Sequence, residues 1–274
     1  MLELPESQTL ASQLRENILG KRIEKVQANS TPHGFAFYHG DPAGYYGLLA
    51  GKTVTDAQAY GGQVEILAGD ACLVINDGIN MRLYPKGSKM PDRHQLFVEL
   101  SDGSALVCTV QMYGGMQAMK AGTYENPYYL IAKTKPSPLS EEFNQGYFEK
   151  LLADAKQTLS AKAFLATEQR IPGLGNGVLQ DILFRARIHP KRKLASLTGE
   201  EKIRLYSAVK DTMAEMTEKG GRDTEKDLYG NPGGYPCLLS KNTLDKPCPI
   251  CGGTLERQAY LGGNIYFCPA CQRE

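Results

Sequence analysis

Residues 171–190 read IPGLGNGVLQDILFRARIHP. Pro172, Gly173 and Gly175 end a preceding helical stretch (residues 160–167) and allow a tight double turn before a second one (residues 177–185). Asn176 is placed to cap that second helix. A helix start with open backbone N–H groups, glycines that admit close approach and an Asn side chain makes a phosphate cradle. The run continues through Arg185, Arg187, Lys191, Arg192 and Lys193 with no acid. Such cations supply affinity and register on a nucleic-acid backbone but no base specificity; the same run also reads as a solvated face. A dinucleotide-binding reading of the GxGN segment is weaker, because a helix and not a strand precedes it.

Outward from this element, the chain divides by pattern. Residues 5–19 read as a helix: Pro5 suits a first turn, Leu10, Leu14 and Ile18 form an i, i+4 stripe, and Gly20 stops it. From about Arg22 to Gln117 the pattern is β, with alternating runs around Val64, Ile66, Leu73 and Ile75. Two apolar runs, 96–100 and 105–109, flank the hairpin turn Asp102-Gly103. Residues 133–140 (KTKPSPLS) read as a Pro-rich linker. Helical patterns follow at 141–154, 160–167, 177–185 and 198–218, the last opened by a Thr198 capping box. Residues 219–240 are rich in Gly and Pro and read as a long loop, of a length that is usually functional or disordered. The expected architecture is multidomain α+β: a β-sandwich with a leading helix over residues 1–130, a linker over 131–144, a helical domain over 145–238 and a terminal finger over 239–274.

The finger rests on Cys248, Cys251, Cys268 and Cys271, two CxxC pairs separated by sixteen residues. Four thiolates at that spacing surround one structural Zn²⁺ tetrahedrally. The intervening segment is long enough for a hairpin, with strands at 254–255 and 265–267 and a turn at 262–264. The remaining Cys72, Cys108 and Cys237 are scattered; Cys72 and Cys108 read as small buried hydrophobes, and the usage suggests a reducing, cytoplasmic setting.

The chain has 274 residues and a net charge of +1. The balance is uneven: residues 1–145 carry more acids than bases, residues 146–274 more bases than acids. A basic cluster beside a zinc module favours a nucleic-acid partner. No apolar run approaches a membrane span, and the start, MLELPESQTL, lacks the basic and apolar regions of a signal peptide.

Segment 171–190 resembles the helix-two-turn-helix motif of the formamidopyrimidine-DNA glycosylase / endonuclease VIII family. The start Glu3-Leu4-Pro5-Glu6, the order of domains and the ending at Cys271-Gln272 resemble the same family, so the likeness spans essentially the whole chain. It implies an enzyme that flips a damaged base from duplex DNA, excises it and cleaves the strand. It implies a nucleophilic N-terminal proline amine that forms a Schiff base with C1′, and a following glutamate as acid/base. Glu3 and Glu6 match the family's glutamates and are the candidate catalytic residues. The proline is absent: position 2 is Leu2, whose bulk disfavours removal of Met1, so the free amine would be that of Met1.

Further departures follow from the same resemblance. Gln63 stands where the family has a lysine. Ile79 stands in place of the methionine that fills the emptied base stack. The stretch 111–114 replaces an arginine-bearing loop, leaving Met112 or Tyr113 to insert between bases. Gly263 occupies the position of the finger's phosphate-gripping arginine. Asn176 and Lys162 match phosphate-contacting residues, and Gly173 and Gly175 match the turn. The expected partner is damaged or abasic double-stranded DNA, bound by a monomer. Three readings stay open: a DNA glycosylase with altered chemistry, a catalytically silent damaged-DNA-binding protein, and a zinc-ribbon module for RNA or protein.

Overall fold

The computed structural model describes residues 2–110 and 112–274. The leading helix α1 (Leu4–Ile18) buries Leu10, Leu14 and Ile18, as their spacing predicts, and Gly20 follows it at φ 77°. The β half runs through β1 (Ile23–Ala28), β2 (Ala36–Phe37), a short helix α2 (Tyr45–Leu49), β3 (Val54–Tyr60), β4 (Gln63–Ala68), β5 (Ala71–Ile75), β6 (Ile79–Tyr84), β7 (Leu96–Leu100), β8 (Ala105–Val110) and β9 (Gly114–Lys120). Among the described residues these form a four-stranded sheet ordered β1-β7-β8-β6 and a five-stranded sheet ordered β2-β9-β5-β4-β3. Leu14 and Ile18 of α1 share one core with Val64, Leu73 and Ile75 of one sheet and Val98, Leu106 and Cys108 of the other. Each such side chain contributes roughly 1.5–3 kcal/mol on full burial. Asp102-Gly103 turns the β7–β8 hairpin, with Gly103 at φ 80°.

The linker is shorter than its composition suggests. Helix α3 (Pro127–Thr134) runs into it and stops before Pro136, whose ring disfavours helical backbone in the residue ahead of it. Four helices then build a second core: α4 (Gln145–Asp154), α5 (Ala161–Ala166), α6 (Val178–Arg185) and α7 (Gly199–Glu218). α4 begins four residues later than expected, because Asn144 caps it through Tyr147 N–H. Ser160 and Thr198 cap α5 and α7 in the same way. Phe143, Phe148, Phe164, Leu179 and Leu205 fill this core, and Leu4 joins them while Leu2 belongs to the sandwich core. The first residues of the chain therefore staple the two halves together.

The finger hairpin pairs β10 (Glu256–Tyr260) with β11 (Gly263–Phe267). Its first strand begins two residues after the expected 254–255. The turn is Leu261-Gly262, at φ 48° and 70°, so Gly263 lies in a strand rather than in the turn. Two successive positive φ angles are what a two-residue primed turn demands.

Segment 219–240 contains no helix or strand but is folded against the rest, with Tyr235 N–H bonded to Gly221 O at 3.0 Å. Asp181 of α6 anchors its exit, accepting Leu238 and Leu239 N–H at 2.9 and 2.8 Å. Burial pushes the Asp181 carboxyl up to about 6, against an ordinary 3.8. The native chain therefore holds a proton more tightly than the unfolded one. This contribution is fully present below the ordinary carboxylate range and is lost as pH rises through about 6. Acidification from about pH 7.5 to about pH 5 should add roughly 1–2 kcal/mol from this group. Urea midpoints at the two pH values check this, and Asp181→Asn should remove this group's share of the gain.

Candidate active site and metal centre

The start of the chain is held between the two halves. Leu2 N–H donates to Asp77 Oδ1 at 3.2 Å, and Leu4 N–H donates to Gly173 O at 2.9 Å. Between them Glu3 turns its carboxylate onto the N-terminus of α6, accepting Gly177 N–H and Val178 N–H at 2.8 Å each. This corrects two sequence expectations. Asn176 does not cap α6: Gly177 is the N-cap residue and makes no side-chain cap. The N–H groups expected to cradle a phosphate are already taken by an internal carboxylate, which suits the positive end of the helix as an anion would.

Glu6 lies beside Glu3, accepting Glu3 N–H at 3.2 Å. Arg222 binds Glu6 through its backbone N–H, Nε and Nη2 at 3.1, 3.0 and 2.9 Å, and its Nη1 stands 3.7 Å from Glu3 Oε1. All three residues are buried. Burial pushes the Glu3 carboxyl above its usual value, while Arg222 and the two backbone N–H groups pull the other way. Burial also pushes Glu6 up, but the Arg222 guanidinium outweighs it and leaves Glu6 below the usual range. Sequence reasoning missed Arg222: it lies in a loop 216 residues from its partner, with no local pattern to mark it.

The glycines serve this junction. A Cβ on Gly175 would meet Glu3 Oε1 at 2.7 Å, and one on Gly177 would overlap Arg222 Nη1. A Cβ on Gly173 would meet the Gly61 carbonyl carbon at 2.6 Å, and one on Gly62 the Leu2 carbonyl oxygen at 2.7 Å. The close approach expected for a phosphate is realised by the protein's own acids and backbone.

Asn176 and Lys162 face the finger. Asn176 Nδ2 donates to Asn264 O at 3.1 Å, and a Cβ on Gly263 would meet the same amide at 3.4 Å. Lys162 is buried rather than lying on an exposed helix surface, and donates to Tyr260 O at 2.6 Å; burial lowers its pKa. Gln180 and Gln272 complete the docking: Gln180 accepts Tyr266 N–H at 3.0 Å, and Gln272 donates to Ile188 O at 3.1 Å. The basic run is largely committed. Arg185 pairs with Glu215, Arg192 with Glu201, and Lys191 donates to Gln258, whereas Arg187 and Lys193 are exposed. Arg187 adopts φ 55°, closing the turn after α6.

On the β half, Ile79 is buried in the sandwich core, so in this conformation it cannot serve as a base-stack wedge. Met112 is 73 % exposed and Tyr113 46 %, on the β8–β9 loop. Gln63 is buried at the start of β4. The Met1 amine and Gln111 lie outside the described residues. Asp77, in the β5–β6 turn, is partly exposed and receives Tyr113 O–H at 3.4 Å in addition to Leu2 N–H. Nearby, Asn80, Arg82, Thr109, Thr224 and Lys241 line a polar cavity of about 510 Å³ between β6, β8 and the 219–240 segment.

Cys248, Cys251, Cys268 and Cys271 bring their sulfurs within 4.8 Å of one another. Two of the separations are 3.8 and 3.5 Å. Sulfurs at ~2.3 Å around one tetrahedral ion lie about 3.8 Å apart, so the donor set fits a single metal ion. Four protein ligands would leave a bound ion no open position, as in structural metal sites.

Residues 135–227 match the family described as the formamidopyrimidine-DNA glycosylase H2TH domain. The chain is 33 % identical to a formamidopyrimidine-DNA glycosylase of Symbiobacterium thermophilum, over 99 % of this chain and 89 % of that protein. It is 31 % identical to one of Thermus thermophilus, over 100 % and 99 %. The crystal structure of the MutM (Fpg) protein from Thermus thermophilus superposes with a TM-score of 0.82 at 29 % identity, covering 99 % of both chains. The fold is also that of Lactococcus lactis Fpg, solved in complex with DNA containing an abasic site: TM-score 0.85, 22 % identity, 99 % and 100 % covered.

Proposed function

Because the chain belongs to the formamidopyrimidine-DNA glycosylase family, we propose that it binds damaged duplex DNA and removes a damaged base without a Schiff base at residue 2. One observation carries this reading. The start of the chain, the α6 turn and the finger are locked together by Glu3, Asn176 and Lys162, the exposed Met112–Tyr113 loop meets the chain start through Asp77, and a polar cavity opens between β6, β8 and the 219–240 segment. In this reading Met112 enters the base stack, Arg187 and Lys193 meet phosphates, and the cavity receives the flipped base. The four cysteines hold zinc, the ion that suits a closed four-thiolate site. Leu2 contributes an amide nitrogen committed to Asp77, which has no nucleophilic lone pair to offer.

A second reading, a damage-binding protein without turnover, draws on a specific observation: Glu3 and Glu6, the acids that match the family, have their oxygens engaged in buried contacts. Incubation with duplexes carrying an abasic site or an oxidised base, with and without borohydride, separates the two. Free base with no covalent complex is expected. A trapped protein–DNA adduct would reveal an amine nucleophile, and damage-selective binding with no base release would favour the silent binder.

A further inference from the structure

We propose that Asp77 is the base that activates water in this site; the proposal rests on the base-excision reading above. Three carboxylates cluster at the start of the chain, and two are spent. Both oxygens of Glu3 cap α6, and both oxygens of Glu6 grip Arg222, with each residue at most 5 % exposed. Asp77 differs in each respect. It is partly exposed, and it sits in a turn at the foot of the exposed Met112–Tyr113 loop. Its carboxylate takes the Gly78 N–H and, on Oδ1, the Leu2 N–H at 3.2 Å, and its Oδ2 takes a long bond of 3.4 Å from the exposed Tyr113 hydroxyl. That second oxygen retains acceptor capacity for a water proton.

Its setting suits the task. Asp77 is anchored to the residue-2 nitrogen, and Asn80, three residues further on, lines the polar cavity. The cavity volume falls in the range of pockets that take small ligands. Burial raises the Asp77 carboxyl above its ordinary value, which strengthens it as a base once ionised. The step is hydrolysis. A water oxygen forms a bond to C1′ as the C1′–N bond breaks. The electron pair of that bond leaves with the base, the water proton passes to Asp77, and the departing base takes a proton from solvent. The products are a free base and an intact strand with a 1′-hydroxyl sugar.

Asp77→Asn tests this in the full-length zinc-loaded chain, using a duplex with a single oxidised base. Asn keeps the acceptor for Leu2 N–H, so duplex binding and the unfolding midpoint should stay at parental values. Base release should fall by about 10²–10⁴-fold, the usual contribution of a positioned base. Parental release should also decline on acidification as Asp77 takes up a proton, and residual release by D77N should lack that limb. Asp77→Glu should recover part of the rate. D77N turning over like the parent, or keeping the acidic limb, would overturn the role of Asp77 while leaving base excision in place. A parental protein that binds the duplex but releases no base would overturn both.

Discussion

Arg222→Ala should lower the stability of the folded chain by about 3–5 kcal/mol, the usual effect of removing one partner from a buried charge pair. The mutation strands Glu6, and beside it Glu3, in a site where all three residues are 3–5 % exposed. It also removes the Nε and Nη2 bonds that orient Glu6. Arg222→Lys should fall between parent and alanine, because an ammonium keeps the charge but not the planar fork. The pH dependence provides a sharper signature. In the parent, the Glu6 carboxyl lies below its ordinary range, so its contribution is present above about pH 4.5 and is lost as pH falls through the lower folded value. In Arg222→Ala burial prevails, the folded value rises above the unfolded one, and acidification should stabilise the variant. Urea unfolding of parent and variant at about pH 7, about pH 5 and about pH 3.5 measures both effects. A variant whose stability declines on acidification through this group would contradict the pairing.

Removal of the metal should be the larger perturbation of the finger, on the order of 10 kcal/mol of its folding free energy. Cys248 and Cys268 are buried and the remaining apolar cluster around them is small, so little else holds β10 against β11. Chelation, or Cys268→Ser, should free the hairpin and with it the contacts from Asn264 O to Asn176 and from Tyr260 O to Lys162. Amide exchange over residues 256–267 should rise to unprotected rates while the sandwich core stays protected. Duplex binding should weaken severely, since Asn176 and Gly263 lose their shared geometry. Metal analysis should return one zinc per chain. A chelated protein with a protected hairpin would contradict the assignment.

Much of the fold was legible because its determinants are local. Ser160 and Thr198 cap the helices their patterns predict, Asp102-Gly103 turns its hairpin, and the four cysteines meet. The errors also have local causes. Leu261-Gly262 took the turn from 262–264, since only two successive positive φ angles close that hairpin. Asn144 moved the start of α4, its side chain capping Tyr147 N–H. The site was less legible. Asn176 has the residue type and spacing of a helix cap, yet the oxygen that caps Gly177 N–H comes from Glu3, 174 residues from Gly177 in sequence. Ile79 sits in a stretch aligned with a wedge, but strand alternation turns it into the core.

The sequence alone therefore determined the order of elements, the four-cysteine cluster, the family and the absence of a proline at position 2. These are properties of residue identity and short spacing. Only the tertiary structure decided which acids are buried among their partners and which reaches solvent. Glu3 binds across 174 residues, Glu6 across 216 and Leu2 across 75. No periodicity carries information over such separations: a carboxylate is a cap, an ion-pair partner or a base according to the donors that packing brings to it.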